Sequence, residues 1–243
     1  MAAHSDIRPV ILASTSPRRR ELLALGGIDF QVRPVAADES VRAGEDPHDY
    51  VQRLSRTKAR LAADGAAANG AAANLAASEG ASEPGPVVVG ADTTVVLDGD
   101  ILGKPADAGE ATEMLRRLRG RTHRVLTAVS VLDTASQAEH GEVVTAAVPM
   151  RDYGDDEIAA YVATGNPLDK AGAYAIQFAG FKPVDGARFS DCFANVMGLP
   201  ACRVLSLLEQ AGVPRGLSRA PGDCRHFEAR ACPVYPLINK DGE

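Results

Sequence analysis

The chain has 243 residues with 45% hydrophobic side chains, enough for one large domain or two small ones; aromatics are only 5% and tryptophan is absent, so any core is mainly aliphatic. A net charge of −6 argues against the broad basic surface that nucleic-acid binding wants, so phosphate can be met only locally, in a cleft. Four cysteines without a CxxC pair argue against a disulfide framework, no apolar run approaches the roughly 20 residues that span a bilayer, and the first residues lack the pattern of a signal peptide. A soluble cytoplasmic protein is expected.

In chain order, residues 9–13 read as a strand. Ser14-Thr15-Ser16-Pro17-Arg18-Arg19 follows at once, with Ser16 able to cap a helix over 17–25 that starts at Pro17 and stops at Gly26-Gly27. Free N–H groups at a helix start attract anions, and Arg18 and Arg19 add planar donor forks suited to phosphate. The competing reading is an ordinary amphipathic helix with solvated arginines. Phe30 to Pro34 reads as a second strand. Asp46-Pro47 opens a helix whose apolar face includes Val51, Leu54 and Leu61. Lys58 falls on that face, either snorkelling at the core's edge or aiming an ammonium into a polar cleft.

Residues 62–86 are rich in Ala, Gly, Ser and Asn and read as a solvated, partly disordered insertion. Val87 to Leu97 is the strongest strand, and Asp98-Gly99 turns it into Asp100-Ile101-Leu102. Asp92 sits in the middle of that apolar strand, where an ionised carboxylate is expensive unless it meets a cation or donors. A metal or catalytic role weighs there against a satisfied structural Asp. Lys104 follows on a tight turn before a helix started by Asp107-x-x-Glu110, with the stripe Ala111, Met114, Leu115 and Leu118. Two strands are expected over 123–132 and 142–150, with His123 in register with their apolar side chains as a core or sheet residue. A short helix spans 155–163, the polar loop 169–177 has a strand-like end, and the last helix runs from near Pro200 to Gly212. The tail 213–243 reads as irregular surface; Cys224, His226 and Cys232 match no strong zinc template.

Together these segments resemble the Maf family of nucleoside triphosphate pyrophosphatases. The residues that carry the resemblance are STSPRRRELL, Asp38-Glu39, Thr57-Lys58-Ala59, GADTTVVLDGDILGKP, GRTHRVLTAV, YVATGNPLDKAGAYAIQ and NVMGLP, in order over about residues 8–212. The resemblance implies one domain over 1–212, interrupted by the insertion at 62–86. Its implied fold is elongated α/β, inosine-triphosphatase-like: a long curved mixed sheet with flanking helices and two lobes around a central cleft. It also implies hydrolysis between the α- and β-phosphates with Mg²⁺ or Mn²⁺ as cofactor.

Carried onto this chain, the implied polar cluster is Ser16, Arg18, Arg19, Glu39, Lys58, Asp92, Lys104 and Gln177. Cations can neutralise a triphosphate and the leaving pyrophosphate. One carboxylate can hold the metal while the other activates water. Asp92 is assigned the water and Glu39 the metal, with the swap left open. Arg18, Thr93 and Gln177 match the dTTP/UTP-type clade rather than the methylated-guanine one, and Gln177 offers a donor and an acceptor to a pyrimidine edge. Phe178 stands where glycine is usual and is expected to narrow the base pocket; Asp191-Cys192-Phe193 replaces a typical Gly-Ser-Tyr turn. Expected partners are the nucleoside triphosphate, with no nucleic acid and no membrane, and a homodimer is an open possibility. Clearance of noncanonical nucleotides is a further expectation. The alternatives are a non-catalytic nucleotide-binding regulator of cell division and a pyrophosphatase for modified purine triphosphates.

Overall fold

Val87–Leu97 (β3) is the axis of the molecule, because every residue along it except Thr93 is buried. The computed structural model describes residues 8–74 and 85–214. Around β3 lies a mixed sheet of six strands: Val10–Ala13 (β1), Phe30–Val32 (β2), β3, Asp100–Leu102 (β4), Thr122–Asp133 (β5) and Glu139–Pro149 (β6). The main order is β2-β1-β3-β5-β6, and β4 pairs with β3. β2, β1 and β3 run parallel; β4, β5 and β6 pair antiparallel with their neighbours.

One edge of β3 changes partner along its length. β1 pairs with it from Val87 to Gly90, and β4 takes over from Val95 to Leu97. Between them, residues 91–94 face a gap just beyond the carboxyl end of β1. Such a place in an open sheet is where ligands settle, since the chain diverges there and leaves a crevice.

Side chains on a strand alternate faces. Val87, Val89 and Ala91 therefore point into one core with Pro17–Leu25 (α1) and Ala201–Gln210 (α6). Val95 and Leu97 point into a second core with Ala108–Leu118 (α3) and Asp155–Ala163 (α4). The opposite face is covered by the long helix Pro47–Asn74 (α2), packed on Val88, Val96, Leu126 and Ala128. By the same alternation Asp92 points toward α2 and Thr93 toward α1 and the short helix Phe193–Met197 (α5).

Gly90 lets α2 lie directly on β3. A Cβ there would stand 2.2 Å from the Ser55 carbonyl oxygen and 2.7 Å from the Ala59 nitrogen, both backbone atoms.

Several expectations change. β2 ends at Val32 rather than Pro34, because proline has no N–H for the ladder. Leu61 is 40% exposed; the buried stripe of α2 is Tyr50, Val51, Leu54, Ser55, Lys58, Ala59 and Ala62. The supposed insertion from 62 is instead helix as far as Asn74, with Ala62 fully buried and Ala63 and Ala66 packed on the sheet's core. Alanine has the best helix propensity, and extending a packed helix needs no new nucleus. The rest of that stretch, 75–84, lies outside the described residues. β6 starts at Glu139, three residues earlier than expected. The strand-like end at 174–177 is absent: Gly172 and Ala173 take φ of 67° and 60°, and the chain forms two 3-10 turns, Asn166–Asp169 and Ala171–Ala173. Val213 belongs to the first core, so the fold continues past 212. The remaining tail, with Cys224, His226 and Cys232, is outside the described residues.

Candidate active site

The crevice beside residues 91–94 is a cleft of about 440 Å³. All nine expected site residues line it: Ser16, Arg18, Arg19, Glu39, Lys58, Asp92, Thr93, Lys104 and Gln177. They come from six separate segments, so only folding brings them together.

The centre is Lys58. Its ammonium donates to Asp92 Oδ1 and to Glu39 Oε1, each at 2.6 Å. The Lys58 and Asp92 side chains are nine-tenths buried, whereas the Glu39 side chain is 44% exposed. A buried carboxylate is tolerable when paired and hydrogen-bonded, and Lys58 supplies this to Asp92. Lys104, exposed on the turn after β4, places its ammonium 3.7 Å from Glu39 Oε2. Burial alone would raise the Glu39 carboxyl. The hydrogen bond from Lys58 and the charges of Lys58, Lys104 and Arg19 outweigh it and hold the group below its ordinary value. Glu39 is therefore ionised at neutral pH.

Ser16 caps α1: its hydroxyl oxygen accepts from the Arg19 N–H at 3.4 Å. Pro17 opens that helix without losing a hydrogen bond. Arg18 lines the cleft with no hydrogen bond or ion pair to any described residue, leaving its fork available. Arg19 differs. Its Nε donates to the Gly198 carbonyl at 2.8 Å and its Nη2 to Thr93 Oγ1 at 3.0 Å. Thr93 Oγ1 also meets Thr127 Oγ1 at 2.9 Å. Arg19 thus braces the cleft floor across α1, β3 and α5. Burial pulls its guanidinium below the ordinary value, with Asp92 acting the other way.

The opposite wall is the irregular stretch 165–178. Gln177 is exposed at its end, and Asp169 and Lys170 line the cleft as an ion pair. Behind this wall Tyr174 meets the buried His123, Nε2 to hydroxyl, at 2.8 Å. Burial lowers the His123 pKa to about 4, so it is neutral at pH 7. This bears out its reading as a core residue. Phe178 turns away from the cleft onto Tyr161, ring centroids 5.3 Å apart, in the second core. The expected narrowing of the base pocket is therefore corrected. The Asp191-Cys192-Phe193 turn forms an ordinary helix start, with Cys192 Sγ accepting from the Asn195 N–H at 3.4 Å.

Sequence reasoning missed Tyr50, Asp169 and Lys170 as cleft residues. Tyr50 lies on the apolar stripe of α2 and reads as a core tyrosine. Asp169-Lys170 carries no local sign that its turn faces the cleft.

For a divalent cation the donor set is Glu39 and Asp92. Among the described residues no group of three acidic, His or Cys side chains forms a cage. Carboxylate oxygens are hard donors, and two of them lining one cleft fit the way Mg²⁺ is usually held, with substrate phosphates and water completing the shell. No described helix is long and apolar enough to cross a membrane.

The model of the family described as Maf-like protein matches residues 9–211. A relative named dTTP/UTP pyrophosphatase in Anaeromyxobacter dehalogenans is 47% identical over 207 residues, covering 84% of this chain and 95% of that one. Relatives of the same name in Syntrophus aciditrophicus and Thermomicrobium roseum are 42% and 43% identical, covering 84% of this chain and 90% and 85% of theirs.

Proposed function

Because the chain belongs to the Maf family, we propose that it is a nucleoside triphosphate pyrophosphatase that hydrolyses dTTP and UTP to the monophosphate and pyrophosphate. The observation that carries this reading is Lys58 joined to both Asp92 and Glu39 in a cleft that also holds the free fork of Arg18 and the exposed ammonium of Lys104. Two carboxylates beside several cations suit hydrolysis of a triphosphate's anhydride bond, and the relatives' name, pyrophosphatase, points to the α–β one.

In the proposed reaction a water oxygen bonds to the α-phosphorus while the bond from that phosphorus to the α–β bridging oxygen breaks. The bridging oxygen leaves with the pyrophosphate. Asp92 takes the water proton; its enclosure and its bond to Lys58 suit a fixed base. Glu39, more open and ionised, is the principal carboxylate for the cation, which when bound would supply charge neutralisation at the phosphates. Lys104 and Arg18 neutralise the leaving pyrophosphate. Lys58 keeps the two carboxylates apart in position while tempering their repulsion.

Gln177 reads the pyrimidine edge from the opposite wall. Its amide can donate to one carbonyl and accept from the ring N–H. The substrate pool argues for the cytoplasm as the place of action, and clearing noncanonical nucleotides is a compatible role.

The test is pyrophosphate release across a panel of triphosphates with Mg²⁺ or Mn²⁺. The expected ranking puts dTTP and UTP first and 7-methyl-GTP far behind. Orthophosphate as the first product would contradict the reaction. Gln177→Glu should narrow the pyrimidine preference by about tenfold, since a site that loses a matched donor leaves polar groups unpaired. An unchanged ranking would remove Gln177 from base reading while leaving the reaction intact.

A further inference from the structure

Glu39 lies in a stretch, 33–46, that has neither helix nor strand. Asp38 through Gly44 are all exposed, and Val41, the one large apolar side chain among those seven, is 50% exposed. Val35 packs on the core near the start of the stretch, but no apolar burial anchors residues 38–44. The Glu39 carboxylate must nonetheless meet Lys58 within hydrogen-bond distance.

The anchoring is polar and comes from one helix. Tyr50, two turns before Lys58 on α2 and 8% exposed, donates its hydroxyl to the Glu39 carbonyl at 3.0 Å. Lys58 holds the same residue's carboxylate, so α2 grips Glu39 at both its backbone and its side chain. Arg53, between them, donates Nη2 to the next carbonyl, Ser40, at 3.0 Å. Arg53 is fixed in turn by a two-bond pair with Glu45, Nε to Oε1 at 2.6 Å and Nη2 to Oε2 at 2.7 Å. Glu45 closes the loop by accepting from the Arg42 N–H at 3.0 Å. The Arg53 guanidinium also lies 5.5 Å from the centre of the Tyr50 ring.

We infer that Tyr50, Arg53 and Glu45 form a polar clip that positions Glu39 for the reaction. The inference rests on the pyrophosphatase reading above. These are positioning residues: they touch the loop backbone and each other, and they act through Glu39. The geometry separates this from a general structural role. The hydrogen bonds that Tyr50 and Arg53 make through these groups go to the loop, so releasing them frees the loop without opening the sheet. The clip also persists at neutral pH. The Arg53 hydrogen bond is the main cause that holds the Glu45 carboxyl down to about 2, and burial opposes it.

The experiment compares wild type, Arg53→Met and Tyr50→Phe in the full chain by amide hydrogen exchange and by steady-state pyrophosphate release from dTTP with Mg²⁺. For Arg53→Met, exchange over residues 38–46 should rise at least about tenfold while β3 and β5 stay protected. Its kcat should fall about tenfold with KM within about twofold, the scale seen when an outer partner of a ligand residue is lost. Tyr50→Phe should do the same more weakly. Arg53→Lys, which keeps one donor but not the fork, should fall between. Unchanged exchange at 38–46 overturns the clip. Faster exchange there with unchanged kcat overturns the positioning role. Loss of protection in β3 and β5 would make the effect a general destabilisation. Wild type that releases no pyrophosphate from any triphosphate sinks the parent reading, whereas the exchange measurement judges the clip regardless.

Discussion

The two walls of the cleft are built on different principles. One wall stands on β3, the end of β1 and α2, with Asp92 and Lys58 buried and bonded. The other is two 3-10 turns with three residues in the left-handed region, Gly165, Gly172 and Ala173. The first wall carries Asp92 on the sheet and Lys58 on the helix packed against it, and Lys58 ties the loop-borne Glu39 to both. The second carries Gln177 and the Asp169–Lys170 pair on irregular chain. Reaction geometry tolerates little misplacement, whereas recognition can vary by changing a loop. The central Asp92–Lys58 pair thus sits on regular, packed backbone, and the base-reading Gln177 on irregular chain.

The largest expected effect breaks the sheet-borne wall at its centre. Asp92→Asn should lower turnover about 10²-fold or more, the scale for losing a general base, with thermal melting little changed. Near-normal turnover would move the water-activating role elsewhere, Glu39 first.

The same chemical change on each wall sharpens the contrast. Gly90→Ala puts a methyl group into α2 backbone, at 2.2 Å from the Ser55 oxygen. Neither partner can rotate away, so the helix must lift from β3, at about 3 kcal/mol or more. Lys58 should shift with it, and activity should fall with stability. Gly172→Ala meets the Val95 side chain at 2.9 Å and carries left-handed strain at φ 67°. The strain alone should cost about 1–2 kcal/mol, to which the contact with Val95 adds, with the larger kinetic effect on KM. Denaturant unfolding and kinetics of both variants check this. Equal losses would mean that the walls are equally stiff.

Acid should reach the second wall through His123. Its folded pKa, about 4, is below the ordinary 6.5, so the neutral form is the one the fold favours. Stability from this group is present above pH 6.5 and is lost as pH falls from there through about 4. Near pH 5 the loss is about 2 kcal/mol by linkage. Hydrogen exchange over 171–178, around Tyr174, should quicken in that window. Protection of those amides that holds down to pH 4 would show that His123 does not control this wall.

The sequence by itself determined most elements of this fold and most members of the cleft. Val87–Leu97 announced a buried strand because its apolar run is long and β-branched, and Asp92 and Lys58 stood out because a charge in an apolar pattern needs a partner. What those partners were could not be read locally. That Lys58 bridges Asp92 and Glu39 depends on Gly90 letting α2 rest on β3. That Arg19 braces Thr93 and the Gly198 carbonyl depends on a turn far along the chain.

The misreadings have the same origin. Residues from Ala62 looked loose because alanine shows no period, yet a helix already packed upstream extends through alanine at little cost. Phe178 looked like a pocket residue from its place beside Gln177, but left-handed backbone at Gly172 and Ala173 turned the segment so that Tyr161 took its ring. Pattern and residue chemistry set which groups needed partners. Only the tertiary structure decided which partners they met, because contacts between distant segments arise from the way sheet, helix and turn close on one another.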